Sequence, residues 1–375
     1  MSYFEQTHKG ESRWWAWVGV TWLTFVGWVI FQTVLLFPIP IIANFTNPPL
    51  LESLLNAFAS SSGDELSQSL SSISMVIGLG VTAGVLVTLT SKDEVRKISG
   101  LLSLVGILIF IVVWTIASKG TDSSAVLEVI TRIMGASPLA FALFLLTFPA
   151  GLIVLYFGQT KIHKRSLLAL HTAATKFRWL RVLQGFLLTW LVLGFFAIIS
   201  AKLGIIEIQF IFSGGKFWIY ALISILFIPL QSATEEIVFR GYFNQGLSHL
   251  FKSKWVAFAL TSFVFMAMHL SNPEALEGSA SGTLPIVMSG YFFFGFAMCL
   301  VVWIDNGLET AIGIHAGNNC FAAIIMNYEN SVLPTPSVFL TGADPVKDSI
   351  STIAVLTILV AVIWFWRKGA RKNAL

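Results

Sequence analysis

The sequence predicts an all-α, polytopic transmembrane helical bundle of about ten spans, with a catalytic core of helices in its C-terminal half. Composition is the first ground: of 375 residues 56% are hydrophobic and 11% charged, and the mean hydropathy is +0.80. A soluble domain is about half apolar and about a quarter charged. Continuity is the second ground. Crossing a hydrocarbon core takes roughly 20 apolar residues per helix, and unbroken runs without alternation argue against a barrel. Such runs fall at 14–38, 73–90, 100–118, 138–158, 182–200, 217–234, 255–270, 284–304, 309–327 and 350–366.

Cation placement is the third ground, because cytoplasmic connections collect Lys and Arg. Lys9 and Arg13 precede the first run; Lys92, Arg96 and Lys97 follow the second; Lys161, Lys164, Arg165, Lys176, Arg178 and Arg181 follow the fourth. Arg240, Lys252 and Lys254 follow the sixth, and Arg367, Lys368, Arg371 and Lys372 close the chain. The connection 39–72 carries Glu52, Asp64 and Glu65 with no cation. Both termini are therefore expected in the cytoplasm. The connection after the eighth run fits poorly, with only Asp305 and Glu309.

A net charge of +4 spread over short clusters between apolar runs points to the lipid bilayer and its anionic headgroups, not to nucleic acid. Four regions follow: N-terminal transmembrane helices (1–160), a basic interfacial segment (161–181), a helical core (182–330), and a last transmembrane helix with a basic tail (331–375). Residues 159–181 alternate basic and apolar side chains, as a helix lying in the interface does; a solvated loop held by snorkelling Arg178 and Arg181 is the alternative. Residues 46–72 and 328–349 read as polar connections. The first apolar run is too long for a signal h-region and reads as an anchor. Cys299 and Cys320 both lie in apolar runs, so neither a disulfide framework nor a thiolate metal site is indicated. No feature sets an oligomeric state.

Ionisable groups inside apolar helices are costly and mark functional sites by default. From residue 217 onward they cluster: Glu235, Glu236 and Arg240 in QSATEEIVFRGYF, His269 in FVFMAMHLSNPE, and His315 with Asn318 and Asn319 in ETAIGIHAGNNC. Glu236 and Arg240, four apart, share a helix face and pair. Glu235 points roughly 100° away from Glu236 and is left unpaired by its own helix. A carboxylate in a partly desolvated cavity makes a general base toward water. His315 and Asn319 also share a face, where an imidazole and an amide can hold a developing oxyanion. Phe265, one turn from His269, would wall the same cavity; Asn318 reads as a packing or hydrogen-bonding residue.

In this order on successive apolar segments, E-E-x-x-x-R, F-x-x-x-H and H-x-x-x-N resemble the CAAX-protease and bacteriocin-processing family of intramembrane endopeptidases over residues 180–330. Asn272-Pro273-Glu274 resembles its bacterial members in particular, which implies a bacterial plasma membrane. The resemblance implies that Glu235 activates water, His269 places or protonates it, and His315 with Asn319 forms the oxyanion site. Glu236 and Arg240 would be structural partners, no cofactor would be needed, and the substrate would be a peptide or a membrane protein.

Alternatives divide by chemistry. Zinc is the lesser reading of the two histidines and two glutamates, since no H-E-x-x-H occurs. Serine chemistry would draw on Ser279–Gly282, which reads as a polar loop. A transporter would show broken helices recurring in both halves. A non-catalytic immunity, assembly or partner-binding protein on the same scaffold is the main rival. One tension stands: with the spans drawn above, Glu235 lies near the cytoplasmic end of its helix and His269 near the outer end of the next, roughly 20 Å apart.

Overall fold

Backbone groups in hydrocarbon must bond within their own segment, and the apolar runs of this chain do so as helices throughout. The computed structural model describes residues 2–61, 63, 65–118 and 124–367; Asp64, Lys368, Arg371 and Lys372 of the charge count lie outside the described residues. The chain divides into two units, each with its own packing.

The unit Gly10–Arg165 contains α1 (Trp14–Leu36), α2 (Ile39–Thr46), α3 (Pro48–Ser61), α4 (Glu65–Thr90), α5 (Asp93–Ser118), α6 (Ser124–Ala136), α7 (Pro138–Ala150) and α8 (Leu152–Phe157), the last running into a π turn at Gly158–Ile162. Small residues let α4 and α5 approach closely, Gly84 against Ser103 and Gly106 against Val81. The stretch 46–72, expected as a connection, is largely helical. Leu54 and Ala57 of α3 are buried in one cluster with Val129 and Ile133 of α6, so the apolar side of a polar-looking segment has a partner to cover it.

The second unit takes the chain up to Lys9 and from Ser166 onward. It holds α9 (Leu167–His171), α10 (Trp179–Lys202), β1 (Ile208–Phe210), α11 (Gly215–Glu235), a π-helical stretch Glu236–Phe243, α12 (Asn244–Phe251), α13 (Lys254–Ala267) and α14 (Pro273–Ser281). It continues through α15 (Leu284–Asp305), α16 (Glu309–Cys320), a π turn at Phe321–Ile325, β2 (Met326–Tyr328), β3 (Phe339–Thr341) and α17 (Pro345–Trp366). The three strands form one small sheet in the order β1-β3-β2. In it β1 is antiparallel to β3 with Ile208 opposite Thr341, and β2 is parallel to β3 with Met326 opposite Phe339. Residues 279–281, read as loop, form the last turn of α14, which stops at Gly282 with φ +77°.

The chain is an all-α integral membrane bundle. Among the described residues eight helices, not ten, are long and apolar enough to cross a membrane. The other two expected spans exist as shorter helices: α13 has 14 residues and α16 has 12. No continuous helix forms over 159–181. Arg178 and Arg181 turn inward instead, and the chain before them is tied down by Leu308 N donating to His171 O at 2.8 Å and Ala173 N donating to Asn306 O at 3.2 Å.

The largest departure from expectation concerns the sixth span. Hydropathy ends it at 234 because charges follow, yet the helical run Gly215–Phe251 continues for 37 residues. Glu236 and Arg240 are both fully buried and satisfy each other within the π-helical stretch, so they do not mark a helix end. Arg240 is thus a residue of the bundle interior and not of a connection. The tension over depth disappears with it. Glu235 lies sixteen residues from Phe251, roughly 24 Å, and His269 fifteen residues from Lys254, roughly 22 Å, on the two arms of one hairpin.

The poorly fitting connection is also explained. Asp305 and Glu309 are buried acceptors for three arginines: Arg178 reaches Glu309 Oε2 at 2.5 Å, Arg181 pairs with Asp305, and Arg367 Nε lies 3.3 Å from Asp305 Oδ1. Thr310 adds a hydroxyl to Asp305 Oδ2 at 2.7 Å. This turn therefore belongs to the cationic end of the unit.

The N-terminal segment joins the same end. Tyr3, fully buried, donates its hydroxyl to Leu170 O at 2.5 Å and its backbone N–H to Asn306 Oδ1 at 2.6 Å. Phe4 packs on Phe258 at 5.5 Å. Deleting a buried aromatic side chain costs about 3 kcal/mol or more. Tyr3→Ala is therefore expected to lower the melting temperature of the detergent-solubilised protein and to open residues 2–9 to protease; unchanged melting and protection would remove the anchoring role.

Candidate active site

Helix α16 carries the third motif, and glycines set its place. An added Cβ at Gly313 would collide with the Val182 carbonyl and one at Gly317 would meet Phe186 O, while Gly185 of α10 faces Thr310 O and Ile314 N. Two helix backbones in direct contact need small residues at the crossing. Trp190 of α10 then donates its indole N–H to Gly317 O at 2.9 Å. Pinned on that side, α16 presents His315 and Asn319 to α11.

Glu236 is the hub. Its Oε1 accepts from Arg240 NH1 at 3.1 Å and from His315 Nδ1 at 2.7 Å. Four apart on one helical run, Glu236 and Arg240 meet on the same face. The contact of Nδ1 with Glu236 fixes the ring, and Nε2 faces the Glu235 side of the site. Phe265 covers the guanidinium, 4.2 Å from ring centroid to Cζ, and Phe294 meets the His315 ring edge-to-face at 4.9 Å. Glu236 Oε2 and Arg240 Nε and NH2 are buried without a protein partner, the pattern of a site that takes internal water.

Glu235 points elsewhere, as the spacing requires. Its Oε2 lies 3.9 Å from His315 Nε2. It is not left bare by its own helix: Gln231, one turn earlier, donates its amide N–H to Glu235 Oε1. Gln231 also accepts from Asn319 Nδ2 at 3.2 Å and from Ser232 at 3.2 Å, so one amide joins the first motif to the third. Asn318 donates to Asn319 Oδ1 at 3.1 Å, which orients the Asn319 amide.

His269 follows α13 in a turn. Its Nδ1 donates to Phe265 O at 2.8 Å, again leaving Nε2 as acceptor. The ring stacks on Tyr291 of α15 at 4.3 Å and 27°, and Phe265 lies 4.5 Å away on another side. Beyond Tyr291, its hydroxyl donates to Glu274 Oε1, and Asn272 Nδ2 donates to the same hydroxyl at 2.8 Å.

The structure thus brings Glu235, Glu236, Arg240, His315 and Asn319 into one bonded cluster and sets Phe265 and His269 on its aromatic wall. Spacing analysis missed Gln231 and Tyr291. Gln231 was open to it, standing four residues before Glu235 in Q-S-A-T-E; Tyr291 was not, since only tertiary packing puts it under His269.

The pair Glu236–Arg240 yields a measurement. Breaking a fully buried ion pair by removing one partner costs about 3–5 kcal/mol, because the other charge stays buried. Glu236→Ala and Arg240→Met should each destabilise the protein by about that much in mixed micelles, and the double variant by clearly less than the sum; strict additivity would mean the two side chains are not coupled.

Comparison with known proteins follows the same boundaries. Residues 214–321 match the family described as Rce1-like, type II CAAX prenyl endopeptidase. Over 226 residues the chain is 27% identical to the uncharacterized protein YyaK of Bacillus subtilis, covering 56% of this chain and 71% of that protein. A 114-residue stretch is 32% identical to the probable aquaporin TIP-type RB7-18C of Nicotiana tabacum, covering 27% of this chain and 46% of the aquaporin, so the chain spans less than half of that relative. No solved structure gives a significant match. Every motif residue from Glu235 to Asn319 falls inside the segment of this integral membrane protein that matches the Rce1-like family, residues 214–321.

Proposed function

We propose that the chain is an intramembrane endopeptidase that hydrolyses a peptide bond with a Glu235-activated water, using no cofactor beyond its own side chains. The observation that carries this reading is the Glu235 carboxylate, bonded by a neutral amide and not by a cation, 3.9 Å from His315 Nε2. Its Oε2 is left open toward the imidazole, where a water can be held for attack, and the mid-helix position shields it from bulk solvent.

In the proposed reaction the water oxygen attacks the carbonyl carbon while Glu235 takes its proton. His269 Nε2, with Nδ1 engaged by Phe265 O, orients that water. His315 Nε2–H, with Nδ1 held by Glu236, and the Asn319 amide hold the oxyanion. Collapse of the tetrahedral intermediate breaks the C–N bond, and Glu235 returns the proton to the leaving amine. The substrate is a peptide or a membrane protein whose scissile bond enters the bilayer. The basic end of the catalytic unit, with the N-terminal segment and Arg367, faces the cytoplasm by the positive-inside rule, and a bacterial plasma membrane is the proposed location.

Glu235→Gln, His269→Ala and His315→Ala should each lower kcat/KM by about 10²-fold or more, and Asn319→Ala by about 10²-fold, in protein that still inserts, with Glu235→Gln and His269→Ala also melting as wild type. New N-termini in cells expressing wild-type protein, absent with Glu235→Gln, identify the substrate. Cleavage that persists with Glu235→Gln would end this reading and leave a non-catalytic partner-binding protein.

A further inference from the structure

A second polar cluster stands beside His269 and takes no part in the reaction above. It consists of Asn272, Glu274 on the first turn of α14, Tyr291 on α15 and Tyr328 at the end of β2. Its two phenol hydroxyls converge on one oxygen. The Tyr291 hydroxyl donates to Glu274 Oε1, Asn272 supports that hydroxyl at 2.8 Å, and the Tyr328 hydroxyl lies 3.5 Å from the same Oε1. Glu274 Oε2, by contrast, is buried and has no hydrogen-bond partner. Among the described residues no ion pair includes Glu274. Asp348 at the start of α17 is near enough to feel its charge, so the local potential is negative.

A buried carboxylate oxygen without a donor costs free energy that a charged donor removes best. The cluster lies one phenol ring from the His269 imidazole, which stacks on Tyr291 at 4.3 Å. We propose that Glu274 is a specificity residue whose Oε2 receives the ammonium or guanidinium of a Lys or Arg in the peptide substrate, within a few residues of the bond held at Glu235. The proposal rests on the endopeptidase reading for its substrate class, and binding can be measured without cleavage.

The test uses full-length Glu235→Gln protein in detergent micelles and a series of fluorescent decapeptides with one lysine moved along the chain, each matched to a norleucine counterpart. At one or two positions the lysine peptide is expected to bind about 10-fold tighter or more, as a charge-assisted hydrogen bond gives. Adding Glu274→Gln should bring that ratio to about one, whereas Glu274→Asp, which keeps the charge, should retain part of it. Glu274→Lys should favour peptides with glutamate at the same position. Melting temperatures of all four proteins identify any loss by misfolding, and the Glu274→Asp result then decides. No lysine preference at any position, or the same ratio with and without Glu274, would overturn the proposal. A Glu274-dependent ratio without any Glu235-dependent cleavage would instead remove the endopeptidase reading and leave the cation site standing.

Discussion

One carboxylate oxygen organises the second unit, the chain up to Lys9 and from Ser166 onward. Glu236 Oε1 accepts from Arg240 on its own helix and from His315 on α16, and both charged side chains are fully buried. Each partner is needed by the other two. Without the imidazole contact the polar bonds left between α16 and α11 among the described residues would be Asn319 to Gln231 and the weak thiol contact of Cys320 with Ser224 O at 3.7 Å. Without the guanidinium, a fully buried carboxylate would carry its charge alone. Specificity of packing is a well-attested use of buried polar groups, and here the polar contact sets the rotation of two helices so that the adjacent Glu235 faces the same imidazole from the other side.

Adjacent glutamates in one helix consequently do different things. Glu236 is buried, cation-bonded and holds His315 at Nδ1. Glu235 keeps 14% of its side chain exposed, is bonded by an amide, and looks toward the imidazole Nε2. The difference follows from rotation alone, since one residue step turns the side chain by about 100°, and from the π-helical stretch that starts between them.

Much of this was legible in the sequence, because local spacing carries it. Apolar continuity gave the all-α membrane bundle, and i,i+4 spacing gave the Glu236–Arg240 pair and the common face of His315 and Asn319. What escaped was what hydropathy misreads. It treats each charge as if it needed water, so it ended a helix at Glu235 that continues to Phe251, and it left Asp305 and Glu309 as an anomaly when three arginines distant in sequence neutralise them. Gln231 hid as an ordinary polar residue although its spacing was visible, and Tyr291 and Tyr3 owe their roles to neighbours that no local pattern names.

The contact of Tyr3 with Asn306 spans 303 positions of sequence, and the partner of Asp305 at Arg367 is made later still. A ribosome releases the N-terminal segment long before either exists. The backbone contact of Tyr3 must therefore wait for residue 306, and the cationic end closes only once Arg367 has been made. Assembly order is thereby written into the fold: truncation anywhere before α17 leaves the turn at 305–309 short of one arginine and the buried aspartate undercompensated.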